Sequence, residues 1–157
     1  NDAVQIGVLD GFRCLIVERI AGSRTLSVIS KPGARLPLHA SGVGKVLLAY
    51  GSKDLQEAVL DSLESYTDKT VTDPTRLRKQ LKQIREQGFA HSEEELAIGA
   101  RTLAAPIFGP GKKVVAALGI VTPVDNREIM RIAPLLQVSA NALSKKLIAA
   151  GVSKIVI

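Results

Sequence analysis

Apolar and polar residues alternate with a period of two through the first thirty positions of the chain. Val4, Ile6 and Val8 share one parity, Leu15-Ile16-Val17 lead into Glu18-Arg19-Ile20, and Leu26, Val28 and Ser30 resume the alternation. That period belongs to strands, whose successive side chains face opposite ways. Asp10-Gly11 between the first two runs is a hairpin pair. The chain is therefore predicted to open as an antiparallel meander.

The pattern then changes twice within residues 33–50, GARLPLHASGVGKVLLAY. Gly33 and Pro37 mark a loop, Ser41 offers a capping hydroxyl, Gly42 and Gly44 are permissive, and Val46-Leu47-Leu48-Ala49 run apolar to Gly51. A glycine-bearing loop feeding a helix N-terminus presents backbone N–H groups beside the positive end of the helix dipole, which suits an anion or carboxylate. It is not a nucleotide P-loop, because His39 stands where that motif needs glycine and Val46 where it needs Ser or Thr. A tight turn with close packing explains the same residues without a ligand.

Two helices are predicted next. Ser52 caps one over residues 53–63, and Thr72-Asp73-Pro74 starts another that Gly88 ends, with 64–71 as an exposed connection. In the second, Leu77, Leu81 and Ile84 fall on one face at helical spacing. Strand pattern returns in Phe89-Ala90-His91, followed by a loop or single turn over 93–99 and a strand over 102–108 that Pro106 interrupts. After the turn Gly109-Pro110-Gly111, residues 112–121 are so continuously apolar that they read as a central strand covered on both faces. Asp125 or Asn126 opens a C-terminal helix with Ile129, Ile132, Leu136, Ala140, Leu143 and Leu147 at 3,4 spacing, kinked or restarted at Pro134. The sum is an α+β domain of five or six antiparallel strands covered by helices.

Composition narrows the function classes. A chain of 157 residues, 46% apolar and 23% charged, fits one globular domain with a sizeable core. No apolar run approaches the ~18 residues of a membrane span, so no membrane partner and a cytoplasmic location are expected. The net charge of +6 makes nucleic acid or acidic ligands worth weighing, but five of the 21 basic residues, Arg76, Arg78, Lys79, Lys82 and Arg85, form the solvated face of one predicted helix. With aromatics at 3% and no Trp, there is no stacking platform for single strands.

Catalytic material is sparse. His39 and His91 are the only histidines and form no HExxH or HxH pair, no GxSxG elbow exists, and Cys14 has no second thiol and reads as a buried core residue. Glu93-Glu94-Glu95 offers three carboxylates, but consecutive residues diverge, so at most one or two could face one cavity. No catalytic residue, metal or cofactor is expected.

The segment PLHASGVGKVLLAY resembles the PLHATxxGKxLLA signature of the effector-binding domain of the isocitrate-lyase-regulator (IclR) family of bacterial transcription regulators. A second block, GFAHSEEE followed by GARTLAAP, is similar to that family's G-[YW]-x-x-D-[DE]-E-E-x-x-x-G-x-R-C-[IL]-A-A-P block, in the family's order and with about its spacing. The resemblance implies a GAF/PAS-like sheet with a ligand pocket between sheet and loops. It further implies a small-molecule effector, a homodimer or homotetramer, and DNA contact only through an N-terminal winged helix-turn-helix, so the chain is expected to be an excised effector domain. A free-standing GAF-like ligand-binding module with another output is the alternative.

Carried over residue by residue, the resemblance places the effector against Ser41, Gly42, Val43 and Gly44 of the glycine loop, Ser92 and Glu94 of the acidic block, Thr102, and Gly119 and Val121, with Leu26 and Leu36 as apolar walls. The chain departs from the family pattern at Ser92, where aspartate is common, at Thr102, where cysteine, serine or alanine is usual, and at Gly119 and Val121, where serines often occur. The far wall thereby loses two hydroxyls, which argues against a very small, highly polar keto acid. A small organic acid, aromatic or sugar-derived, is expected.

Overall fold

The structure, a computed structural model, describes residues 2–22 and 31–156. Strands β1 (Ala3–Asp10) and β2 (Arg13–Ala21) form the expected hairpin, with Gly11 at φ 61 in its turn. A short strand β3 (Arg35–Pro37) pairs with β2 inside the segment read as a loop. Helices α1 (Gly42–Ala49), α2 (Lys53–Leu60) and α3 (Pro74–Gln87) follow, then strands β4 (Ala90–Glu93), β5 (Ala100–Phe108) and β6 (Val114–Pro123), and finally helix α4 (Ala133–Ala149). Among the described residues the strands make one antiparallel sheet in the order β3-β2-β1-β6-β5-β4, so the class is α+β as expected. The strand anticipated around Leu26, Val28 and Ser30 lies outside the described residues.

Two helices cover opposite faces of the sheet. Residues Leu103, Ala105 and Ile107 of β5, Ala116 and Leu118 of β6 and Val8 of β1 pack against Leu136 and Ala140 of α4. The opposite parity, Ala104, Ala117, Cys14 and Ile16, packs under α1, which α3 covers with Leu77, Leu81 and Ile84. Every residue of α1 is buried, so its ends need partners other than water. At its start the Ser41 hydroxyl accepts from the Gly44 N–H at 3.1 Å and donates to the Pro37 carbonyl at 2.7 Å. At its end Gln56 donates to the carbonyls of Leu48 (2.9 Å) and Ala49 (3.3 Å), and Arg85 donates to Ala49 (3.1 Å).

Several predicted boundaries move. Gly42 and Gly44 are helical rather than loop, because the Ser41 cap stands ahead of both. Helix α2 stops at Leu60, three residues short of the expected 63, whereas Gly88 ends α3 as expected, in the left-handed conformation at φ 83. The connection 64–71 is not uniformly exposed: Val71 is buried, and the buried Thr70 hydroxyl accepts from the N–H groups of Tyr66 and Thr67. The first returning strand is Ala90–Glu93 rather than 89–91, and the central strand is Val114–Pro123 rather than 112–121. Pro106 does not interrupt β5. It pairs with Ala117 of β6, and the pairing with β4 has already ended at Ala104, so a residue without an N–H is tolerated on the open side. The C-terminal helix opens at Ala133, after a 3-10 turn over Ile129–Ile132, with Pro134 in its first turn rather than as an internal kink.

Candidate functional site

Strand register sets the floor of a cavity beside α1. Ser92, Thr102, Val121 and Ala3 lie in one row across β4, β5, β6 and β1, and Ala90, Ala104, Gly119 and Gln5 lie in the next row on the same face. The rows are rich in Gly and Ala, which lets α1 approach closely. A Cβ on Gly42 would stand 2.4 Å from Thr102 Oγ1, and one on Gly119 would stand 2.7 Å from Val43 Cγ1. Gly7 serves the same end, since a Cβ there would meet the Cys14 sulfur at 2.4 Å. Burial pushes that thiol up to about 12, so it stays protonated and acts as core.

The space left at the start of α1 is a cavity of about 120 Å³. Its walls are Leu36, Ala40, Ser41 and Gly42 on the helix side, Gln5, Thr102 and Val121 on the floor, and Ser92 with the Glu94–Ala100 segment on the remaining side. Seven of the residues expected at the site therefore meet there: Leu36, Ser41, Gly42, Ser92, Glu94, Thr102 and Val121. Val43, Gly44 and Gly119 stand beside the cavity rather than in its wall, with Val43 filling the space over Gly119. Leu26 lies outside the described residues.

Two features were not read from the sequence. The first is a buried ion pair: Lys45, 1% exposed, donates to both carboxylate oxygens of Glu95 (2.7 and 2.6 Å) and to Gln80 Oε1 (2.7 Å). Burial lowers the Lys45 pKa and Glu95 opposes that shift; the contact geometry is that of a charged pair. Its signal was available, since Lys45 is the one charge in the run 42–49 and a wholly buried lysine requires a carboxylate. Glu95 also accepts from the Ser92 hydroxyl at 2.8 Å, which commits the Ser92 proton. The second is Gln5, whose Oε1 is buried without a partner among the described residues; Thr102 Oγ1 is in the same condition, and both residues line the cavity. The parity Ala3-Gln5-Gly7 on a strand covered on both faces was the clue.

The segment that closes the cavity is tied down on its outer side. Glu94 takes the unusual φ of 54, its carboxylate accepts from the Gly99 N–H at 2.8 Å and pairs with Lys69, and its carbonyl accepts from Thr67 Oγ1 at 2.6 Å. The Lys69 contact, helped by the Gly99 N–H, holds the Glu94 carboxyl below its ordinary range. Thr70 Oγ1 donates to the Glu95 carbonyl at 2.6 Å. Leu96, Ala97 and Ile98 then line the cavity, Ile98 at its rim with 70% of its surface exposed. That apolar triplet directly after the three glutamates could have marked the loop as a wall.

The family model for the C-terminal part of the bacterial transcriptional regulator IclR matches residues 1–145. The chain belongs to this family. Its similarity to the HTH-type transcriptional regulator XynR of Escherichia coli is 35% identity over 152 residues, covering 94% of this chain and 60% of that protein. Against the curated relatives as a group the chain spans about half of their length. The structure is similar to that of an IclR homolog from Microbacterium hydrocarbonoxydans complexed with 4-hydroxybenzoate, with TM-score 0.88 and 30% identity over 94% of this chain and 61% of that one. It is also similar to the inducer-binding domain of PobR from Acinetobacter, a double mutant in complex with 3-hydroxybenzoic acid, with TM-score 0.82 and 28% identity over 90% of this chain and 87% of that one. The IclR relatives are transcriptional regulators rather than enzymes. Among the described residues no group of His, Cys, Asp and Glu could hold a metal, and no helix is long and apolar enough to cross a membrane.

Proposed function

We propose that this IclR effector domain senses a small monocyclic organic acid, held with its carboxylate at the first turn of α1 and its body against Leu36, Leu96 and Val121. The observation that carries the reading is the coincidence of the cavity with a helix N-terminus and two buried polar atoms that have no partner, on Gln5 and Thr102. First-turn N–H groups lack intrahelical partners; Ser41 serves that of Gly44, and those of Gly42 and Val43 belong to the same turn. A cavity of about 120 Å³ is comparable to the ~150 Å³ engineered cavity that admits benzene, so it has room for one ring. The hydroxybenzoates in two solved relatives have that size and charge.

In the whole protein the acid biases the arrangement of DNA-binding domains that contact DNA outside residues 1–157, by binding one arrangement better than another. A homodimer or homotetramer carries the coupling, in the cytoplasm where the DNA is. Leu135 and Val138, 65% and 64% exposed on the outer side of α4, supply an apolar surface for self-association.

Calorimetric titration with 3-hydroxybenzoate and 4-hydroxybenzoate tests the acid class. Binding is expected, and Gly42→Val is expected to abolish it because the added side chain enters the space at Thr102. Thr102→Val, which keeps the shape and removes the unpartnered hydroxyl, is expected to weaken binding about fivefold or more while leaving the unliganded domain as stable as before. Unchanged affinity in both folded variants would move the site elsewhere.

A further inference from the structure

Gln5 is a glutamine in the middle of a sheet covered on both faces, and among the described residues none donates to its amide oxygen. The residue is 3% exposed, it faces Gly119 across the β1–β6 pairing, and it forms part of the cavity floor. Gly119 has no side chain to offer, and a Cβ there would stand in ordinary contact with the Gln5 side chain, 3.4 Å from Cγ and 3.5 Å from Nε2. A buried acceptor without a donor destabilises a fold, and an apolar residue of the same length would avoid the loss. The Gln5 side chain lines the cavity, and a turn about its terminal torsion brings the amide oxygen to whatever fills that space.

The chemistry of that donor follows from the two ends of the floor. Glu94 and Glu95, the cavity's two carboxylates, follow β4, while Gln5 lies on β1, three strand spacings or about 14 Å away. A cationic donor would need a carboxylate beside it, and none of the cavity-lining residues at the β1 end supplies one. A neutral hydroxyl needs only an acceptor. The first turn of α1 stands over Thr102 on β5, two strand spacings or about 10 Å from β1, a separation bridged by one ring with a hydroxyl opposite or oblique to its carboxylate.

We propose that Gln5 is the specificity-determining residue of this cavity, accepting a hydrogen bond from the hydroxyl of a monocyclic hydroxy acid and so selecting it over the unhydroxylated acid. This rests on the organic-acid reading above. Gln5→Met keeps the length of the side chain and removes the amide. Titration calorimetry of the wild type and of Gln5→Met with benzoate, 3-hydroxybenzoate and 4-hydroxybenzoate, together with thermal unfolding of both unliganded proteins, separates the possibilities. The wild type is expected to prefer at least one hydroxybenzoate over benzoate by about tenfold or more. Gln5→Met is expected to bring that preference within about twofold by weakening the preferred hydroxybenzoate more than benzoate, and to unfold at the same or a higher temperature. A preference retained in Gln5→Met overturns the assignment and leaves the acid class standing. Equal weakening of all three acids, or a fall in unfolding temperature or failure to fold, shows a structural glutamine and overturns it as well. Failure of the wild type to bind any of the three overturns the organic-acid reading and the Gln5 assignment with it.

Discussion

The two faces of the central sheet are made by alternate residues of the same strands, yet they are built to opposite specifications. Toward α4, β5 and β6 present Leu103, Ala105, Ile107, Ala116 and Leu118, which close against Leu136 and Ala140. Toward α1, the same strands present Thr102, Ala104, Ala117, Gly119 and Val121. Large aliphatic side chains fill one face and leave it dry. Small and polar ones on the other let a buried helix come close and leave an unfilled volume at its start. Dense packing and the cavity are thus sorted by residue parity, and a substitution should be felt differently according to the face it lands on.

The largest expected effect is a truncation on the α4 side. Leu103→Ala removes a fully buried side chain and should destabilise the domain by ~2–5 kcal/mol while leaving effector affinity of the folded protein nearly unchanged, as denaturant unfolding and calorimetry would show. A comparable loss of affinity would mean that the two faces are not separable. On the α1 side the damaging change is an addition. Gly119→Ala should cost ~1–3 kcal/mol, because its Cβ would meet Val43 Cγ1 at 2.7 Å. A stability equal to wild type, measured in the same way, would show that α1 is not held against the sheet as tightly as the contacts imply.

The smallest expected effect concerns pH. His91, with Nε2 buried and unpartnered, faces Arg101, Glu93, Glu95 and Lys45, and burial followed by the Arg101 charge lowers its pKa from 6.5. The unfolded chain therefore takes up a proton before the folded one as pH falls through 6.5, and the domain should lose a little stability below that value. Denaturant midpoints at about pH 7.5 and about pH 5.5 should differ less in His91→Gln than in the wild type. An identical difference in the two proteins would remove His91 from the account.

Features with local causes were legible in the sequence. The hairpin at Asp10-Gly11, the Asp73-Pro74 start and Gly88 stop of α3, and the central position of β6 all follow from turn chemistry and apolar runs that need no distant partner. The limits of α2 and the passage of β5 through Pro106 depend on where neighbouring elements end, which spacing does not record. At the cavity the glycine loop and acidic block could be located by resemblance. Gln5 could not, because it belongs to no motif and the apolar alternation of Val4, Ile6 and Val8 marks the other face of β1.

The buried Lys45–Glu95 pair has a consequence for how such a domain can change over generations. Removing either partner alone leaves the other as an uncompensated charge in the interior, at a cost of ~3–5 kcal/mol. That is a large part of the ~5–15 kcal/mol that keeps a domain folded. A lineage therefore cannot exchange the two residues one at a time without passing through a protein close to unfolding. Val121, Ala97 and Ala100 around the same cavity carry no such bond and are free to drift. Under the proposed reading, new ligand preferences are accordingly reached by altering these walls while the Lys45–Glu95 pair, whose Glu95 is itself a wall, stands still.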